Sequence, residues 1–128
     1  MPGILWTLVI ALLTLMPGNY VPRVITFLDW LSADKVLHFL LFGIHLYLLT
    51  EGFHRQTGSS LLSRYAVIWG LVIGIIFAFL IEVMQRHVIP GRNGNIYDFL
   101  ADLAGSLLGV ACWYIAGKIG NKKLRSSE

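Results

Sequence analysis

Residues 82–109 read Glu82-Val-Met-Gln85-Arg-His-Val-Ile-Pro90-Gly-Arg92-Asn-Gly-Asn95-Ile-Tyr-Asp98-Phe-Leu-Ala-Asp102-Leu-Ala-Gly105-Ser-Leu-Leu-Gly109. Two apolar segments meet here across a short polar loop. Their facing ends carry Glu82, Gln85, Arg92, Asp98 and Asp102. An ionisable group at the centre of a bilayer costs about 2.5–3.5 kcal/mol on insertion scales, so carboxylates beside lipid-length apolar runs need a physical reason. Pro90-Gly91 and Asn93-Gly94-Asn95 are turn formers. On a helix starting at Ile96, Asp98, Asp102, Gly105 and Gly109 fall within about 60° of one another. Before the loop, Gly70, Gly74, Ala78 and Glu82 form a ribbon of four-residue steps. Small residues at that spacing let helices approach closely, and Glu82 ends the ribbon.

The composition says what kind of chain holds these residues. The 128 residues are 56% hydrophobic and 13% charged, with a mean hydropathy of +0.71. A soluble domain carries roughly 25% charged residues. The chain therefore reads as one small integral membrane domain over 1–120, with a basic cytoplasmic tail at 121–128. The net charge of +3 does not imply nucleic acid. Lys118, Lys122, Lys123 and Arg125 sit just past an apolar run, where a membrane-flanking anchor belongs. Cys112 is the single cysteine, so an intrachain disulfide and a cysteine metal cluster are excluded.

Four apolar segments follow in order. The first, Gly3–Met16, would reach about 21 Å as a helix, against about 30 Å of hydrocarbon. It has no basic side chain before Arg23, and Pro17-Gly18-Asn19-Tyr20 is a poor cleavage site. A short transmembrane helix is expected there rather than a signal peptide. In the first loop, Val24, Phe27, Leu28 and Leu31 keep helical spacing. Both a short interfacial helix and a plain connector fit that stretch. The second segment, Val36–Phe53, is entered through Asp34-Lys35. Asp34, His38 and His45 lie within about 40° on its wheel. Residues 54–64 read as a solvated turn. The third segment is Tyr65–Gln85 and the fourth Ile96–Ile119. The expected fold is all-α, a bundle of four transmembrane helices.

Four helices put both termini on one side. Arg55, Arg64 and the four basic tail residues would lie there, against Arg23, Lys35, Arg86 and Arg92 opposite. Six against four favours cytoplasmic termini. Loops one and three then share the extracytoplasmic side. So Asp34, Lys35, His38, Glu82, Gln85, Arg92, Asp98 and Asp102 are expected at one membrane level, within about 9 Å of the helix ends. Gly70, Gly74, Ala78, Gly105 and Gly109 are expected to pack helices.

Such a cluster has several chemistries. It can lock helices together through ion pairs. It can hold an anionic lipid or lipid-linked sugar headgroup, with Lys35 and Arg92 on the phosphate. It can act as an enzyme site in which carboxylates and His38 hold a divalent cation or serve as acid and base. It can also lie on a proton path, with His45 deepest. The lipid pocket is the function favoured here. No catalytic residue, metal ligand or cofactor is assigned, and the known enzyme motifs are absent.

The residues resemble the VanZ-like family of small bacterial membrane proteins over about residues 4–117. Asp34-Lys35-x-x-His38-Phe39 resembles the D-K-x-x-H-F opening of the family's second helix. Glu82-x-x-Gln85 with Pro90-Gly91-Arg92 resembles E-x-x-Q followed by P-G-R. Asp98-x-x-x-Asp102-x-x-Gly105-x-x-x-Gly109 resembles D-x-x-x-N-x-x-G-x-x-x-G, with Asp102 where the family usually has Asn. The resemblance implies a multi-pass protein of the cell membrane. The family's namesake is associated with resistance to the glycopeptide teicoplanin, which acts outside the cytoplasmic membrane. The family's biochemical activity is mostly unknown.

Overall fold

A computed structural model describes residues 2–17, 33–58, 60–90 and 95–125. Five helices carry the described chain: α1 (Pro2–Thr14), α2 (Ala33–His54), α3 (Ser60–Arg64), α4 (Ala66–His87) and α5 (Ile96–Arg125). No strand occurs among the described residues. The expected all-α class holds. The first loop, and with it the interfacial-helix reading, lies outside the described residues.

Three helical stretches are long and apolar enough to cross a membrane: Asp34–His54, Ala66–His87 and Ile96–Gly120. The first apolar segment makes a helix of 13 residues, about 20 Å long and short of a full span. Within residues 54–64, Ser60–Arg64 add one short helix where only a turn was expected. The Ser63 hydroxyl donates to the His54 carbonyl at 2.8 Å, capping an otherwise open end of α2. Helix α5 runs through Arg125, past the Gly120 boundary read from sequence.

Helices α2 and α5 lie side by side and run in the same direction. A Cβ added to Gly105 would sit 2.0 Å from the Phe39 carbonyl oxygen, and one added to Gly109 2.1 Å from the Gly43 oxygen. These are backbone-to-backbone approaches that only glycine allows. Helix α4 runs antiparallel to α2. Gly70 faces Thr50, and Gly74 faces Leu46. Its buried face is Ala66, Gly70, Gly74, Ala78, Ile81 and Gln85. The ribbon of four-residue steps holds for three turns and then passes to Ile81 and Gln85. A four-residue step overshoots the helical turn by about 40°, so the stripe drifts and leaves Glu82 at its edge.

Helix α1 packs antiparallel to α2. The Trp6 indole donates to the Leu41 carbonyl at 3.0 Å, and Gly3 lies against Leu48 and Leu49. The apolar centre comprises Ile10, Leu41, Phe42, Ala78 and Ile81. Outside it, large apolar side chains such as Ile68, Ile76, Phe79 and Leu107 stand more than half exposed. In water such a surface would aggregate; in lipid it is the expected outer face.

The glycine contacts make a direct prediction. Gly105→Ala places a methyl group against backbone that cannot rotate away, and it should destabilise the bundle by about 1–3 kcal/mol or more. Gly117 and Gly120 have nothing within 4 Å of an added Cβ, so Gly117→Ala should leave stability unchanged. Thermal unfolding in detergent compares the two.

Candidate functional site

The opening turns of α2 and α5 and the closing turns of α4 meet at one end of the bundle. Lys35 Nζ lies 3.3 Å from Asp98 Oδ1. This is an ion pair without well-aligned hydrogen-bond geometry. One turn deeper, His38 Nδ1 meets Asp102 Oδ1 at 2.9 Å, with both side chains fully buried. The pairing follows from the parallel glycine contact. Residues 35 and 38 on α2 sit level with 98 and 102 on α5, and the close backbones let short side chains touch.

Glu82 approaches from α4. One atom each of His38, Glu82 and Asp102 lies within 4.8 Å of the other two. The Asn95 backbone N–H, just before α5, hydrogen bonds to the Glu82 carboxylate. Among the described residues, His38 Nε2, Asp102 Oδ2 and Glu82 Oε1 are buried with no hydrogen-bond partner. Buried polar atoms are nearly always paired. Three side chains that meet at one place, each with a buried atom left unpaired, therefore call for an explanation.

The remaining expected residues are placed as follows. Asp34 is part-exposed at the start of α2. Gln85 is buried, and its side-chain amide donates to the Thr14 carbonyl at 2.7 Å. It thereby holds the end of α1 against the cluster. Arg92 lies outside the described residues. His45 sits apart from the cluster. Its Nε2 contacts the Thr7 hydroxyl at 2.9 Å, and its ring packs against Phe42 and Phe77. Thr7 gives its own proton to the Gly3 carbonyl, so it accepts from His45. That histidine fastens α1 to α2.

A cleft of about 280 Å³ opens beside Glu82 between α4 and α5. Phe79, Val83, Ile96 and Phe99 supply its apolar walls, and Arg86 and His87 stand at its polar end. Sequence reading did not single out Arg86 or His87 for this role. Both follow Glu82 by about one turn, which was the available signal.

The other end of α2 carries a contact that no motif announced. Glu51 accepts from the Trp113 indole at 2.7 Å and pairs with Arg55 one turn on. Trp113 also packs edge-on against His54. Trp113 thereby ties α2 to α5.

Residues 4–117 match the VanZ/LLP1 family. This chain belongs to that family. No curated protein and no solved structure matches the chain. In this VanZ/LLP1 protein, all three motif pieces contribute to the same end of the bundle. Asp34-Lys35-x-x-His38 opens α2, Glu82-x-x-Gln85 closes α4, and Asp98-x-x-x-Asp102 opens α5. The glycines that follow Asp102 make the contact with α2.

A buried pair is costly to break from one side. His38→Leu strips Asp102 of its donor and should destabilise the protein by about 3–5 kcal/mol. The double variant His38→Leu, Asp102→Leu should be less destabilised than the sum of the single variants. Denaturant unfolding in mixed micelles gives the cycle; strict additivity would show that the pair carries no coupling.

Proposed function

We propose that this VanZ/LLP1 membrane protein takes an anionic envelope lipid, or the phosphate of a lipid-linked sugar, into the cleft beside Glu82. The observation that carries the reading is the form of that cleft. Its apolar walls suit a hydrocarbon or isoprenoid chain, and Arg86 and His87 suit the headgroup at the polar end. Lys35, although paired with Asp98, adds a second cation at the same level. In this reading Asp34, His38, Gln85, Asp98 and Asp102 shape and stiffen the inner wall.

Helix α1 completes a four-helix bundle in this reading, with local thinning of the bilayer covering its short length. The polar end faces outward and the termini face the cytoplasm, as the basic residues suggest. An extracytoplasmic headgroup site is consistent with a role in glycopeptide resistance of the teicoplanin type.

Helix fastening alone is the less suitable account. The fasteners of this bundle are made elsewhere and use their donors: Gln85 to Thr14, Trp6 to Leu41, Trp113 to Glu51. His38, Glu82 and Asp102 meet at one place, and each keeps a buried atom without a partner. One observation favours catalysis as a second reading. A buried carboxylate orients His38 through Nδ1 and leaves Nε2 bare, the arrangement of a general base. In that case Glu82→Gln would leave lipid bound but change the envelope's lipid-linked products; an unchanged lipidome would count against it.

Native mass spectrometry of the detergent-purified protein tests the pocket. Wild type should retain an anionic lipid. Val83→Trp, which fills the cleft, and the double variant Arg86→Ala, His87→Ala should lose most of it. A wild-type protein without retained lipid would defeat the proposal, as would equal retention by Val83→Trp. Orientation is read by an impermeant thiol reagent on Asn93→Cys in a Cys112→Ser background. Labelling in intact cells is expected, and protection would reverse the topology.

A further inference from the structure

The geometry points to a divalent-cation site formed by His38, Glu82 and Asp102. Its ligand set is one imidazole nitrogen and two carboxylate oxygens, drawn from three helices and held within 4.8 Å of one another. The two members that are fully buried each present an unpaired atom, His38 Nε2 and Asp102 Oδ2, and half-buried Glu82 presents Oε1.

Three features favour an ion over a simple hydrogen-bond network. The first is charge. Two ionised carboxylates and a neutral imidazole sum to the −2 that a divalent ion neutralises. A shared proton could relieve one carboxylate but would still leave one or more of the three atoms bare. An ion takes one atom from each of the three side chains at once. The second is orientation. His38 Nδ1 and Asp102 Oδ1 already face each other at 2.9 Å, about the separation of two ligands on one ion, so a bound ion takes the place of the proton between them. The third is support. Glu82 takes a hydrogen bond from the Asn95 backbone, so its carboxylate is anchored where α5 begins.

Imidazole with carboxylates suits zinc or manganese better than magnesium or calcium, which prefer oxygen alone. Three protein ligands leave at least one position open. Glu82 belongs both to this set and to the cleft wall, so it joins the ion site to the cleft. An Asn in place of Asp102 would offer only a neutral carbonyl oxygen, and the −2 balance would be lost.

The test measures the metal alone. Tag-free protein in mild detergent is stripped with a chelator, equilibrated with zinc or manganese chloride, and desalted; elemental analysis gives the ion per chain. Wild type should retain one ion. Glu82→Gln and Asp102→Asn should retain at least tenfold less, while His54→Ala should match wild type. Wild type retaining neither ion overturns the site, as does undiminished retention by both carboxylate variants. Should those variants misfold, zinc-edge X-ray absorption of wild type decides. Nitrogen and oxygen scatterers with an imidazole signature support the site, and their absence overturns it. Val83→Trp blocks the cleft but removes no ligand, so it should bind the ion normally. Failure of the lipid reading is therefore separable from failure of this one.

Discussion

The bare backbone contact between α2 and α5 governs the arrangement. Gly105 and Gly109 lie against the carbonyls of Phe39 and Gly43 at distances that exclude any side chain. In lipid no hydrophobic force presses helices together, because the surroundings are as apolar as the side chains. Association must come from dispersion across closely matched surfaces and from polar bonds that lipid cannot supply. The glycine contact provides the first and sets up the second. With the backbones this close, and the helices parallel, each four-residue step on α2 meets a similar step on α5. Lys35 reaches Asp98, and His38 reaches Asp102. A wider crossing would leave those short side chains apart, and a buried carboxylate without a donor is not tolerated in such surroundings.

The polar residues of the bundle fall into two groups with different physical roles. Thr7 with His45, Thr14 with Gln85, Trp6 with Leu41 and Trp113 with Glu51 join pairs of helices through direct bonds. They are spread along the bundle. The second group, His38, Glu82, Asp98 and Asp102, is concentrated at one end, and each of its side chains keeps a buried atom without a hydrogen-bond partner, as only His45 does in the first group. A protein needing only cohesion would gain nothing from the second group. Two carboxylates within 4.8 Å would, if both were ionised, repel by about 3.5 kcal/mol at an effective dielectric near 20. Stability alone would replace them with apolar side chains.

Much of this was legible in the sequence because membrane topology restricts it so strongly. Segments two, three and four must cross in alternating directions, so the start of two, the end of three and the start of four share a level. That argument needs no residue-level contact, and it brings His38, Glu82 and Asp102 to one end of the bundle. The small-residue steps marked the helix faces in contact, and the buried stripe of α4 follows them through Ala78. Register was less accessible. The stripe drifts to Ile81 and Gln85 since 3.6 does not divide into four-residue steps. Gln85 was grouped with the pocket residues, yet its bond goes to Thr14 on α1, 71 positions away in sequence. Glu51 gave no periodic signal at all. Its partner Trp113 is 62 residues distant, and nothing local to either residue encodes that meeting. The short α3 was missed for a simpler reason: five residues are too few for a period to show.

The two groups of residues at the polar end also constrain what an anionic occupant could meet. A phosphate entering the cleft finds Arg86 and His87 at its polar end and Glu82 on its wall. Lys35 is engaged by Asp98, so its charge is largely compensated before any ligand arrives. Unneutralised, the Glu82 and Asp102 carboxylates would push the headgroup back toward that polar end. Neutralised by an ion, the same wall would become attractive, because an open coordination position would accept a phosphate oxygen directly. In the proposed reading, the depth to which an anionic headgroup enters the bundle would thus be set by what balances His38, Glu82 and Asp102. The helix register and the proposed site are linked through a single pair, His38 and Asp102, which the glycine contact brings together.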